Sequence, residues 1–167
     1  LLAAGAIAAF GPTWRGLAVM IMLLALVPVV IIDLEYKLIP NVVVYPAAAL
    51  ALAAMILHEP ARWWVPVTGA LGAAGFLGLL HLIKPKGMGL GDVKLALLLG
   101  AVLGASVIPA LFIAFLAGSI LGAVLIARFG KGARTTQIPF GPYLAVGALL
   151  ALWVGPALIS LYTDRVL

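Results

Sequence analysis

Long runs of apolar residues without a charged side chain constrain this chain more than any other feature. Charged residues make up 9% of the sequence, against about 25% in a soluble domain. A helix needs roughly 20 apolar residues to cross the hydrocarbon core of a bilayer, so runs of this length predict membrane-spanning helices. The candidate runs are 16–32, 38–57, 63–83, 95–127 and 135–163.

The longest of these runs, 95–127, is too long for one span. Its 33 residues would form a straight helix of about 50 Å, whereas the hydrocarbon core is about 30 Å thick. Gly104, Ser106 and Pro109 lie near its middle and predict a turn between two shorter helices.

The distribution of basic residues supports the split. With two helices in 95–127, seven lysines and arginines fall on one side of the membrane and three on the other. With one long helix the division becomes five and five. The positive-inside rule therefore favours two helices and places the richer side in the cytoplasm. That side carries Lys37, Lys84, Lys86, Lys94, Arg128, Lys131 and Arg134, and the other carries Arg15, Arg62 and Arg165.

These observations predict an all-α, polytopic membrane bundle with six full spans and a partial N-terminal helix. Residues 1–167 are expected to form a single membrane-embedded domain, in which 1–10 are interpreted as the remnant of an upstream helix. Closely spaced glycines, at positions 69, 72, 75 and 78 and in the pairs 100/104 and 118/122, predict close helix packing. The chain has no cysteine, which excludes disulfides and thiolate metal sites. The net charge of +5 is explained by cytoplasmic loops, and no nucleic-acid partner is expected.

Two acidic residues adjoin the apolar runs. Asp33 ends the first run, and an ionisable group at membrane depth is a functional candidate because burying its charge is costly. The alternative is an interfacial aspartate that merely ends the helix. The remaining acids, Glu35, Glu59 and Asp164, are interpreted as solvated or locally paired.

The second acid, Asp92, lies in the segment GMGLGDVK that starts at Gly87. An aspartate here could simply cap the following helix. Capping does not require three glycines in five positions, whereas glycines let a backbone approach another chain closely. We therefore expect Gly89, Leu90 and Gly91 to shape a substrate cleft. Lys94 is counted with this cleft, although a lysine facing lipid headgroups is the simpler interpretation.

Two carboxyl groups brought close together share a proton, so that one serves as a base and the other as an acid. Such a pair activates water for attack on an amide and protonates the carbonyl oxygen, which is aspartyl protease chemistry without metal or cofactor. A zinc protease would need HExxH, but Arg62 stands where the second histidine should be. No GxSxG surrounds a serine. His58 and His81 are interpreted as interfacial rather than catalytic.

Three segments together resemble the bacterial type IV prepilin peptidases, which are polytopic GxGD-type aspartyl proteases of the plasma membrane. They are DLEYKLIPN from Asp33, GMGLGDVKLALLLG from Gly87 and IPFGPYLAVG from Ile138. The resemblance implies that Asp33 and Asp92 are the catalytic pair, that Gly89 and Gly91 are the GxGD glycines, and that Lys94 is the lysine that follows. Asn41 stands where the family often has aspartate. The segment 139–142 matches a family signature and is expected to form a rigid turn near the site.

The resemblance further implies cleavage of a positively charged leader from type IV prepilins or pseudopilins, after a glycine, at the cytoplasmic face of the bacterial inner membrane. Many members also methylate the new N-terminus with S-adenosylmethionine, through a preceding domain that often bears CxxC motifs. That activity is not expected of this cysteine-free chain. Two alternatives stay open: a proton, cation or solute carrier that is not an enzyme, and a related GxGD peptidase acting on preflagellins.

Overall fold

A computed structural model of the chain describes residues 9–85, 87–129 and 139–166, with the side chains of 129 and 162–166 excluded. Over these residues the fold is helical and contains no strand. Six α-helices follow one another: α1 (Trp14–Tyr36), α2 (Asn41–His58), α3 (Trp64–Ile83), α4 (Leu90–Leu103), α5 (Val107–Phe129) and α6 (Gly141–Val166). Short 3₁₀ turns, Pro60–Arg62 and Gly104–Ser106, precede α3 and α5. The all-α prediction is confirmed.

Local sequence signals set the helix ends. The Thr13 side chain caps α1 by accepting a hydrogen bond from the Gly16 N–H at 3.1 Å, which satisfies one of the donors left open at a helix N-terminus. Lys37 ends α1 in a left-handed conformation with φ 53°. Pro40, in an extended conformation, then immediately precedes α2. A proline at this point disfavours a helical conformation for the residue before it and so keeps the two helices separate.

The expected count of six full spans was wrong by one. Five stretches are long and apolar enough to cross a membrane, and 90–128 is one of them. The predicted break in that stretch is present at Gly104–Ser106. However, α4 has only 14 residues and therefore rises about 21 Å, short of a hydrocarbon core of about 30 Å. Gly104, Ser106 and Pro109 predicted the position of the turn, but neither they nor the charge distribution indicated how short the helix before it is.

The chain reverses direction at Gly104–Ser106, so α4 and α5 run in opposite directions. A Cβ at Gly155, late in α6, would contact Ser106, whereas one at Gly118 would contact Phe140, just before α6. We call the end of the bundle with the C-terminus of α1 and the N-terminus of α4 the carboxylate end, and the end with Gly104–Ser106 the opposite end. Among the described basic residues, Lys37, Lys84, Lys94 and Arg128 belong to the carboxylate end, and Arg15, Arg62 and Arg165 belong to the opposite end.

Helix α4 is the central element of the bundle. Its residues Leu95, Ala96, Leu98 and Leu99 have no exposed surface, and it packs against α2 and α3. Gly69 and Gly100 bring the backbones of α3 and α4 into direct contact, because a Cβ on either glycine would collide with the carbonyl oxygen of the other. Such close approach maximises van der Waals contact between membrane helices.

The prediction that every closely spaced glycine packs a helix was only partly right. Gly69, Gly100 and Gly104 lie at a helix contact, but Gly72, Gly75 and Gly122 have nothing within 4 Å of a Cβ position. Residues 1–8, Lys86, Lys131 and Arg134 lie outside the described residues. The interpretation of 1–10 as a helix remnant, the single domain over 1–167 and the full charge count therefore stay predictions.

Candidate active site

Asp33 lies in the last turn of α1, and only 5% of its surface is exposed. Its Oδ2 accepts a hydrogen bond from the backbone N–H of Gly141 at 2.9 Å. Gly141 is the first residue of α6, where backbone N–H groups have no partner within the helix. A Cβ at this position would lie 2.6 Å from the same oxygen. Glycine is therefore the residue that allows α6 to present its N-terminus to Asp33.

The loop after α1 packs against the glycine-rich segment. Ile39 in this loop is buried and lies directly against Gly91, where an added Cβ would come within 2.8 Å of the Ile39 Cβ. This contact brings the two predicted motifs side by side. It also gives Gly91 a role in packing, in addition to the role in substrate approach that the sequence suggested.

Asp92 lies in the first turn of α4, with 7% of its surface exposed. Its Oδ2 accepts a hydrogen bond from the Gly89 N–H at 3.2 Å, and its own N–H donates to the Gly89 carbonyl oxygen at 3.2 Å. The N-cap of α4 is Gly89 and Asp92 is the third residue of the helix, so Asp92 does not occupy the N-cap position that the simpler interpretation gave it. Its side chain still contributes to the cap by accepting a hydrogen bond from the N–H of Gly89. Capping and membership of the site are compatible, because the second carboxylate oxygen is not needed for the cap.

Both aspartates open onto one cleft of about 350 Å³ at the carboxylate end. Their side chains are close enough to interact electrostatically. All six site residues predicted from the sequence line this cleft, so the structure brings them together. Glu35, two residues after Asp33, is exposed and does not line it. The lining residues are Asp33, Lys37, Leu38, Ile39, Asn41, Gly89, Leu90, Gly91, Asp92 and Lys94.

Lys94 has a more specific environment than lipid headgroups. Its Nζ donates a hydrogen bond to Asn41 Oδ1 at 2.8 Å and lies 5.7 Å from the centroid of the Tyr45 ring. Both partners belong to α2, so Lys94 connects α4 to α2 at the edge of the cleft. The amide of Asn41 supplies the acceptor at the position where a family member often has a carboxylate.

Sequence reasoning missed the contacts of two residues near the site. Gly141 lay in a segment expected to form only a rigid turn, and its partner Asp33 is 108 residues away. His81 was interpreted as interfacial, but its ring contacts the loop before Asp92. The available signals were a Gly-Pro pair opening an apolar run and a lone histidine within another run, neither of which identifies a partner.

The described residues contain no group of three or more histidine, aspartate or glutamate side chains that could hold a metal ion. At the opposite end, His58 and Glu59 are exposed, and Glu59 pairs with Arg62 at 3.5 Å. The chemistry that this site offers comes from two buried carboxyl groups facing one cleft. One can take a proton from water while the other donates a proton to an oxygen.

Comparison with known proteins identifies the family. The sequence model of the type IV leader peptidase family matches residues 17–127. This range includes both aspartates, the glycine-rich segment, most of α1, all of α2 to α4 and most of α5. No solved structure matches the chain.

Curated relatives extend the similarity over nearly the whole chain. A "Prepilin leader peptidase/N-methyltransferase" of Bacillus subtilis is 30% identical over 159 residues, covering 95% of this chain and 64% of the relative. Proteins of the same name from Pseudomonas aeruginosa and Xanthomonas campestris pv. campestris are 33% and 34% identical, with 92% of this chain and 54% and 55% of the relatives covered. The chain thus spans less than two thirds of the length of these relatives. The chain belongs to the type IV leader peptidase family.

Proposed function

We propose that the chain is a membrane aspartyl endopeptidase that removes the leader of type IV prepilins or pseudopilins, cutting after a glycine at the cytoplasmic face of the bacterial inner membrane. Family membership supports the class of reaction. The observation that carries the proposal is the convergence of Asp33 and Asp92, from separate helices, on one cleft. Both carboxyl groups are buried and each accepts a backbone hydrogen bond from a glycine.

In the proposed mechanism, one carboxylate of the pair removes a proton from a water molecule as the water attacks the carbonyl carbon of the scissile amide. The other carboxyl group donates its proton to the carbonyl oxygen, which gives a neutral tetrahedral intermediate. Transfer of a proton to the nitrogen then breaks the carbon–nitrogen bond and releases leader and mature protein. The Gly141 and Gly89 N–H groups hold one oxygen of each carboxylate, which limits reorientation of the pair between steps.

The proposed substrate cleft uses Gly89, Leu90, Gly91 and Lys94. Leu90 is 56% exposed and offers an apolar contact beside Asp92, while the exposed Gly89 before it leaves its backbone open to an extended peptide. Lys94 closes one edge of the cleft through Asn41. A substrate whose apolar helix lies in the bilayer would present the residues before that helix to this end of the bundle.

The proposed cytoplasmic orientation rests on the distribution of charge. Four of the described lysines and arginines belong to the carboxylate end and three to the opposite end. Over the whole sequence, seven are expected on the side of the carboxylates and three on the other, and basic residues accumulate on the cytoplasmic side of membrane proteins. A carrier would need ionisable groups along a path through the bilayer. Within the described residues, the only buried charged side chains are Asp33 and Asp92, both at one end. The peptidase proposal is therefore favoured over transport.

The test is leader cleavage by the purified chain in detergent or liposomes, with a prepilin and a preflagellin as separate substrates. We expect prepilin cleavage by the wild-type chain, and a loss of about 10²–10⁴-fold in Asp33→Asn and in Asp92→Asn, the usual contribution of general acid–base catalysis. Glu35→Gln is the matched control, because Glu35 is exposed and outside the cleft, and it should retain activity within about twofold.

Robust cleavage by either aspartate variant would overturn the proposed pair. Equal loss in Glu35→Gln would mean that a different acid carries the reaction. Preferential cleavage of the preflagellin would keep the chemistry and change the substrate, whereas proton or ion flux in proteoliposomes without any proteolysis would favour the carrier.

A further inference from the structure

His81 lies near the C-terminal end of α3 and contacts the loop that precedes Asp92. Its Nδ1 is 2.7 Å from the backbone carbonyl oxygen of Met88. A carbonyl oxygen can only accept a hydrogen bond, so Nδ1 must carry the proton and act as the donor. His81 is partly buried, and its ring therefore joins α3 to the loop rather than projecting into solvent.

The acceptor of this bond belongs to the same peptide group that serves Asp92. The Met88 carbonyl and the Gly89 N–H are the two ends of one planar amide. The Gly89 N–H donates to Asp92 Oδ2 at 3.2 Å. A continuous chain of hydrogen bonds thus runs from the His81 ring, through the 88–89 peptide, to the carboxylate. Bonds arranged in this way polarise and strengthen one another.

This peptide group needs an external restraint. The peptide precedes α4, so the regular hydrogen bonds of a helix do not fix its orientation. Gly89 at one end of it and Gly87, one residue before its other end, allow a wide range of backbone angles. Within this segment, the Gly87 N–H donates to the Lys84 carbonyl oxygen at 2.9 Å and the Asp92 N–H donates to the Gly89 carbonyl oxygen at 3.2 Å, but neither bond involves the carbonyl of the 88–89 peptide. The His81 contact holds the carbonyl on the α3 side and thereby directs the N–H towards Asp92.

We propose that His81 is a positioning residue of the active site: it orients the Met88–Gly89 peptide so that the Gly89 N–H holds Asp92 in its catalytic position. The inference deepens the proposed function and rests on it for its effect on cleavage. His81 itself does not line the cleft. Its loss should therefore act mainly on the chemical step. Any rise in KM should be smaller than the fall in kcat, although residues 89–91 of the same segment line the cleft.

Asparagine and leucine at position 81 form a matched pair of test variants. Both side chains branch at Cγ and have similar size, but only asparagine keeps an N–H donor near the position of Nδ1. In prepilin cleavage, we expect His81→Leu to lower kcat by about 10- to 100-fold, with a smaller change in KM. His81→Asn should keep kcat within about threefold of wild type. Equal losses in the two variants, or wild-type kcat in His81→Leu, would overturn the proposal.

A second measurement does not depend on cleavage. Hydrogen–deuterium exchange of residues 87–92 in the detergent-solubilised chain reports how firmly the loop is held. We expect exchange in His81→Leu to be at least about tenfold faster than in wild type, and exchange in His81→Asn to match wild type. Identical exchange in all three proteins would refute positioning by His81. Failure of the wild-type chain to cleave any leader would count against the proposed function and leave this comparison to decide the role of His81.

Discussion

The two carboxyl groups of the site are held in different ways. Asp92 takes its hydrogen bond from Gly89, three residues earlier in the same segment. Asp33 takes its hydrogen bond from Gly141, at the start of the last helix. One half of the site is thus local in sequence, whereas the other half exists only after α1 and α6 have docked against each other.

Because of this difference, substitutions near Asp92 and substitutions near Asp33 should affect activity to different extents. A change within the glycine-rich segment acts on Asp92 through neighbouring backbone, and the loop can adjust to it. A change at Gly141 moves a whole helix relative to Asp33. The Asp33 half should therefore be the more sensitive to the addition of a single methyl group.

Among substitutions that keep both aspartates, the largest effect should come from Gly141→Ala. The new Cβ would lie 2.6 Å from Asp33 Oδ2, so α6 or the carboxylate must move and the hydrogen bond to Asp33 is lost or distorted. We expect cleavage to fall by about 100-fold, equivalent to about 3 kcal/mol for a hydrogen bond to a charged group. Measurement of kcat/KM with a prepilin checks this.

Gly122→Ala is the matched control for that variant, because a Cβ at Gly122 has nothing within 4 Å. It should leave kcat/KM within about twofold. Full activity in Gly141→Ala would break the comparison, since it would show that the contact between α6 and Asp33 is dispensable.

A smaller effect, of about tenfold on kcat/KM, is expected for Gly91→Ala. Its Cβ would lie 2.8 Å from the Ile39 Cβ, whereas a Cβ at Gly89 would be at an ordinary 3.4 Å from Asp92 Oδ2. Gly89→Ala should therefore cost less than about threefold. The comparison would then show that Gly91 is required for packing against Ile39, whereas position 89 tolerates a methyl group.

Combining Gly91→Ala with Ile39→Ala should restore part of the activity, because the shorter side chain removes the contacts at 3.1 and 3.3 Å while the Cβ remains. A double variant no better than Gly91→Ala would mean that Gly91 acts on the substrate rather than on Ile39. Equal losses in Gly89→Ala and Gly91→Ala would point the same way.

The smallest effect should come from Asn41→Asp. A carboxylate would still accept the hydrogen bond from Lys94 Nζ, which is now 2.8 Å from Asn41 Oδ1, and would add an ion pair at a partly exposed position. We expect the free energy of unfolding to rise by no more than about 1 kcal/mol, with cleavage within about twofold of wild type. Thermal unfolding in detergent and kcat/KM check both statements. A large gain or loss of activity would show that the Asp92 half depends on α2 as strongly as the Asp33 half depends on α6.

Features that depend on the composition of short segments could be predicted from the sequence. The apolar runs predicted the helices, and the residues Gly104, Ser106 and Pro109 predicted the break before α5, which is present. Asp33 and Asp92 could be selected because a charge beside an apolar run is costly and requires an explanation. The structure places both on one cleft.

Features that depend on which helices are neighbours could not be predicted. The contact between Gly141 and Asp33 joins residues far apart in sequence, and the contact between His81 and Met88 depends on how the loop folds back on α3. The spacing of Gly72 and Gly75 resembles that of Gly69, yet only Gly69 meets another helix. A periodic pattern gives the face of a helix but does not identify what lies against that face.

The shortness of α4 sets the depth of the site within the bundle. Near the opposite end, Gly104 lies against Val65 at the start of α3, while Val93, beside Asp92, lies against Gly78. Helix α3 continues to Ile83, which is about 7 Å beyond Gly78 along its axis. Asp92 is therefore recessed below the rim formed by its neighbour. On the proposed function, a substrate peptide must therefore extend past the end of α3 to reach Asp92, and the cleft of about 350 Å³ beside the two aspartates is the space that receives it.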